Sequence, residues 1–188
     1  MIKVYLANRP PLPEYQETTC VSKLPSGEIK RIGTETGNHW RKIFNVYAKL
    51  MYRLAEKTND ELLLNYASWQ LYRDHALLQL GSGTELYFSP TTAIKAQRLG
   101  GSDAPIIHLV MGKAFADDFL SAALTHATHD GLTENQHSSI QWLDNDFALH
   151  RALNIIVCPY FDYRQLSNQK IETLVELIIS LQNKAGMA

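Results

Sequence analysis

Two cysteines in 188 residues, Cys20 and Cys158, are too few and too far apart for a disulfide framework or a zinc signature, so two free thiols are expected. No apolar run approaches the roughly 18 residues that a membrane span requires. The opening MIKVYLANRPP has neither the charged leader nor the apolar core of a signal peptide. A soluble, cytoplasmic protein is therefore expected, with no membrane partner. The chain also lacks a P-loop, a dinucleotide fingerprint, a nucleophile elbow and the H-E-x-x-H arrangement. These absences remove the commonest nucleotide, serine-hydrolase and zinc-protease chemistries, and no cofactor is expected. Internal repeats and low-complexity segments are missing too. What remains is 45% hydrophobic and 20% charged, a globular composition that fits one α/β domain over residues 1–188, with 14–37 as a long loop or extension.

The net charge of −1 conceals an asymmetry. Residues 1–57 hold ten Lys/Arg against five Asp/Glu, whereas residues 58–188 hold eight against fourteen. Two solvated faces of opposite sign would account for this, and so would a basic surface that meets phosphates, provided its charges converge in space.

Hydrophobic patterning supplies the fold. Ile2–Leu6, Glu85–Phe88, Ile106–Met111 and Leu153–Val157 read as strands, Ile106–Met111 as a buried one and Leu153–Val157 as one sized for burial on both faces. Pro10–Pro13 (PPLP) is an extended exit from the first strand or a polyproline ligand. A helix is expected from Asn38 to about Lys57, with Ile43, Tyr47, Leu50, Met51 and Leu54 on one stripe and Arg41, Lys42, Lys49 and Arg53 away from it. Thr58 to Glu61 has the form of a capping box and predicts one helix over about 60–80, apolar most of the way round. Further helices are expected from Ser89-Pro90 to Leu99, after Gly112-Lys113, from Asp144 to Ala152, and after Ser167 or Asn168. Ser139–Trp142 reads as a minor strand. Strands alternating with helices predict a three-layer α/β sandwich with a small, mostly parallel four-stranded sheet and helices on both faces.

In such a sheet ligands sit beyond the carboxyl ends of the strands. That selects the loops Ala7–Pro11, Ser89–Thr92, Gly112-Lys113 and Cys158–Arg164. Cys158 is a candidate nucleophile with His108 or His150 as its base, or else a small apolar filler. Asp162 and Arg164 flank Tyr163 as a polar ligand site or as a pair bracing the loop. Lys113 is a phosphate ligand or a solvated cation. His126 and His129 are spaced to face one way, with Asp130 and His137 close in sequence, but a polar loop gives no rigid frame for a metal, and none is expected.

Ile106–Ala116 (IIHLVMGKAFA), Cys158-Pro159 followed by Leu166-Ser167, Asn8 followed by Pro10, and Ser89 and Thr91 after the second strand together resemble the motifs of the uracil-DNA glycosylase superfamily. That resemblance implies a short four-stranded parallel sheet between helices. It implies that Asn8 positions an attacking water and that Ser89 and Thr91 line a base pocket. Tyr160, Phe161 and Tyr163 would stack on the ligand, with Arg164 and Lys113 on phosphate, and the partner would be a nucleic acid, nucleobase or nucleotide. The sequence departs from the family where Cys158 replaces a histidine, where Tyr160 replaces a serine, and where the first motif lacks its Gly-x-Asp-Pro form. A small-molecule enzyme using Cys158, and a non-enzymatic interaction protein whose 60–80 helix packs on a partner or on itself, are the alternatives.

Overall fold

Residues 1–88, 105–128 and 140–185 are described in a computed structural model, apart from the side chains of 122–128, 184 and 185. The strand Ile2–Tyr5 (β1) lies in the interior of its sheet, with all four residues buried. On one side β1 pairs in parallel with Thr84–Tyr87 (β3), and on the other with Ile107–Met111 (β4), which in turn pairs in parallel with Ile155–Cys158 (β7). These are the four strands that the patterning predicts. The sheet nevertheless has seven strands, not four, in the order β2-β3-β1-β4-β7-β6-β5. Three short antiparallel strands are added at its edges: Cys20–Val21 (β2) beside β3, Ala148–His150 (β6) beside β7, and Gln141–Trp142 (β5) beside β6. β5 falls within the minor strand expected over Ser139–Trp142, whereas β2 and β6, of two and three residues, are too short to show a period in sequence.

The segment expected as a long loop, 14–37, contains a 3-10 turn at Pro13–Tyr15, β2, and a helix, Glu28–Glu35 (α1). Eight residues allow α1 only two buried side chains of any size, Ile29 and Ile32, which is why no periodicity announces it. Ion pairs from Arg31 to Glu14, Glu28 and Glu35 fasten it to the turn before it.

Asn38–Thr58 (α2) is the long helix that the stripe predicts. It packs on the sheet face built by Val4, Leu6, Leu86, Leu109 and Ile156, and the Tyr47 hydroxyl donates toward the carbonyls of Ile2 (3.1 Å) and Glu85 (3.3 Å). The expected 60–80 helix is instead two short ones, Glu61–Leu64 (α3) and Trp69–His75 (α4). Asn59 is left-handed (φ 54°) and closes α2. The Thr58 hydroxyl turns back to the Leu54 carbonyl (2.9 Å) instead of capping forward. Asp60 caps α3 by accepting from the Leu63 N–H, and Ser68 caps α4 by accepting from the Leu71 N–H. Removing either cap, as Asp60→Ala or Ser68→Ala, should cost about 1 kcal/mol in urea unfolding; a change below a few tenths would show that the caps are idle.

Lys113–Thr128 (α5) covers the other face, where Ala116, Phe119 and Leu120 meet Tyr5, Val110, Ile155 and Val157. The helix expected from Asp144 is β6 instead. The Asp144 carboxylate accepts from the Asp146 and Phe147 N–H groups (2.7 Å each), making a turn that feeds Ala148–His150 into the sheet. Asn168–Ala185 (α6) closes the chain with Ser167 as its cap, Oγ accepting from the Lys170 N–H at 3.4 Å. Among the described residues no helix is long and apolar enough to cross a membrane.

Candidate functional site

The chain leaves β1 toward the α2 face and leaves β4 toward α5, so these adjacent strands send their continuations to opposite sides. Such a switch point opens a crevice beyond the strand ends, and Asn8 stands at it. β1 and β7 are separated by β4, a gap of two strand spacings or about 10 Å. Asn8 and Tyr160 nevertheless meet over the end of β4, with Nδ2 donating to the Tyr160 hydroxyl at 3.5 Å. The residue after β4 is Gly112, whose φ of 84° disfavours any side chain there.

His39 completes the group, and sequence reasoning missed it. Its Nε2 lies 3.2 Å from the same Tyr160 hydroxyl, and its ring stacks on the Tyr160 ring with centroids 5.6 Å apart. It sits in the first turn of α2, directly after Asn38. The only signal in the sequence was a histidine at a helix start; nothing there tied it to a loop 121 residues away. Asn8 and His39 are exposed while Tyr160 is partly buried. Burial pushes the Tyr160 phenol above its ordinary range, against a smaller downward pull from the Asn8 amide. A neutral phenol at this point can donate a hydrogen bond to His39 Nε2 and accept one from Asn8.

The rest of the Cys158–Arg164 loop divides. Phe161 is fully buried, T-shaped against Tyr47, and anchors the loop in the core, so it offers no face to a ligand. The Asp162 carboxylate accepts from Lys42 Nζ (2.8 Å) and from the Arg164 N–H (2.9 Å). Lys42 before all else holds its carboxyl below the usual range. Asp162 therefore does brace the loop, but with Lys42 as its cation rather than the Arg164 guanidinium. Tyr163 is 56% exposed with Lys42 Nζ 4.9 Å from its ring centre. Arg164 is exposed. The Lys113 ammonium lies 4.6 Å from the ring centre of Trp142, on the edge strand β5.

Cys158 is 1% exposed, and burial alone pushes its thiol far above the ordinary range. Neither proposed base can reach it. Cys158 packs with Met111 and Ile156 on the α2 side, whereas its neighbour Val157 and the alternating residues of β4 and β6 place His108 and His150 on the α5 side. The thiol is a core filler. Ser89 and Thr91 lie outside the described residues, as do the 89–99 helix and the side chains of His126, His129, Asp130 and His137. Among the described residues no three His, Cys, Asp or Glu side chains gather as a metal site.

South of the rim, along the outer face of α2, a groove of about 320 Å³ runs between that helix, Trp69 and Tyr163. Arg41, Lys42 and Lys49 line it, together with Asn38 and Asn45, and no carboxylate does.

A model of one family whose function is not known matches residues 1–179. No curated protein and no solved structure matches the chain.

Proposed function

The chain belongs to the family of unknown function DUF6942, and on the geometry of its strand-end rim we propose that it binds a nucleobase, either free, as a nucleotide or within a nucleic acid. The observation that carries this reading is the convergence of Asn8, His39 and Tyr160 at one switch point. A carboxamide presents a donor and an acceptor side by side, the pattern that a base edge offers in return. The His39 and Tyr160 rings supply a flat aromatic wall beside it. A water held by Asn8 and a proton held between His39 and Tyr160 are also the elements of hydrolysis at a glycosidic carbon. The resemblance to uracil-DNA glycosylases supports the same site, with Asn8 in the water-positioning place.

Calorimetric titration with bases, nucleosides and nucleotides tests it. Tyr160→Phe keeps the ring and deletes the hydroxyl that Asn8 and His39 share, and should weaken binding about tenfold, the worth of one to two hydrogen bonds. Chromatography for released base, run on nucleosides and on oligonucleotides, reports any cleavage. An absence of binding at millimolar concentrations would end the proposal. A second reading, self-association without catalysis, is favoured by Leu62 and Leu80, which are 82% and 78% exposed; a monomeric mass in solution would remove it.

A further inference from the structure

We infer that the groove along α2 binds the backbone of a single-stranded nucleic acid, with the rim taking one base of the same strand. The inference rests on the rim reading only for that last clause; the groove makes its own case. Arg41, Asn45 and Lys49 stand four residues apart on α2, one above another on one face. They span about 12 Å of helix, and the two cations at its ends can each meet a phosphate of one strand. Arg41 bonds to the Asn38 side chain, and Lys49 lies 5.1 Å from the ring centre of Trp69. Neither makes an ion pair among the described residues, so two full charges stand uncompensated where no carboxylate lines the wall. Further along, Arg53 and Lys57 are answered by Glu56 and Glu172. The basic charge of the first third of the chain is thus left open in one stretch.

That stretch begins where the rim ends. Asn38 precedes His39, Tyr163 follows Tyr160 by three residues, and the Lys42–Asp162 pair joins the two regions. A mononucleotide at the rim would leave the groove unused. A duplex would keep its bases stacked inside and away from Trp69 and Tyr163. Only a single strand offers phosphates to Arg41 and Lys49 and a base to the exposed ring of Tyr163 at once, the combination by which single strands are held.

The test is fluorescence anisotropy of the full chain with a labelled mixed-sequence single strand, as DNA and as RNA, between 50 and 200 mM salt. Two phosphate contacts, to Arg41 and Lys49, predict a log–log salt slope of about −1.4. Arg41→Ala/Lys49→Ala, on exposed or half-exposed positions, should lower affinity about tenfold or more and flatten the slope by about 1.4. Tyr163→Ala should lower affinity and leave the slope unchanged, and Arg151→Ala, an exposed cation elsewhere, should change neither. Binding in one sugar series only still supports the groove and names its polymer. Equal affinity for the annealed duplex, equal competition by polyglutamate, or a double variant that binds like the parent would overturn it. Strand binding without any nucleoside binding sinks the rim and leaves the groove standing; nucleoside binding that a strand does not improve sinks the groove alone.

Discussion

Glu85→Ala should destabilise the fold by about 3–5 kcal/mol at neutral pH, the cost of leaving a buried charge without its partner. Lys3 and Glu85 are register partners on β1 and β3. Their side chains meet at 3.2 Å on the α5 side of the sheet, with Lys3 only 5% and Glu85 23% exposed. The Tyr87 hydroxyl donates to Glu85 Oε2 at 2.8 Å, and the Lys3 ammonium lies 5.4 Å from the Tyr87 ring centre. Burial first, and the carboxylate second, push the Tyr87 phenol far up, so it stays a neutral donor. Deleting Glu85 leaves an ammonium facing a phenol and a ring, neither of which carries a compensating charge.

The partners are not symmetric. Lys3→Met leaves a carboxylate that still reaches solvent and keeps the Tyr87 hydrogen bond, so about 1 kcal/mol is expected. The double variant Lys3→Met/Glu85→Leu should regain most of the loss, because an apolar pair avoids the desolvation of both ions. Urea unfolding of the four proteins closes the cycle. A Glu85→Ala protein within 1 kcal/mol of the parent would mean that Lys3 finds water, and the ion pair would then be a surface feature.

Lys3 illustrates what could be read from the residues and what could not. Ile2-Lys3-Val4-Tyr5-Leu6 alternates as a strand does, and the strand is there. Alternation does not say whether the second face is open or covered, so a lysine on it is not recognisable as buried. The four central strands were legible because each is a short apolar run bounded by Gly, Pro or Asn. β5 is the minor strand read over Ser139–Trp142, but β2 and β6 were not legible, since strands this short exist by pairing with neighbours rather than by any pattern of their own. The single helix drawn over 60–80 failed on local chemistry: Asp60 and Ser68 each start a new helix, and the apolar residues between them satisfy either arrangement.

The site divides along the same line. Asn8 and Tyr160 were placed together from topology alone, since parallel strands deliver their carboxyl ends to one edge. His39 reaches that edge from a helix start, which no rule of strand ends includes. The pairing of Cys158 with His108 or His150 looked open until the register fixed their faces. Once His108 pairs with Ile155, parity carries Cys158 to the other side. The excess of Lys and Arg before residue 58 became a surface only when α2 set Arg41 and Lys49 on one stripe.

Between pH 6.5 and about 3 the stability of the fold should fall steeply, and His108 should account for a separable part of the fall. Its side chain is 3% exposed, and its Nδ1 lies 2.7 Å from the Tyr5 hydroxyl, which donates to it in the neutral ring. Among the described residues Nε2 has no hydrogen-bond partner. Burial, then the nearby Lys3 charge, lower its pKa to about 3 from an ordinary 6.5. The folded state therefore resists a proton that the unfolded chain accepts. The unfolded state binds more protons throughout this window, so stability rises with pH across it, is complete above 6.5, and is lost as pH falls toward 3. At pH 5 the loss from this one group is about 2 kcal/mol, and near pH 3 about 4 kcal/mol. Carboxylates such as Glu28 and Asp162, whose pKa values are lowered by Arg31 and Lys42, add their own losses at the acid end. The informative quantity is the difference between the parent and His108→Gln, which keeps an acceptor for Tyr5 and cannot titrate. Urea unfolding from pH 5 to 7.5 should show the variant less stable at the top of the range and less sensitive at the bottom, the two curves converging by about 2 kcal/mol. Parallel curves would mean that His108 titrates alike in both states, and the polar cluster on the α5 face would then be open to water.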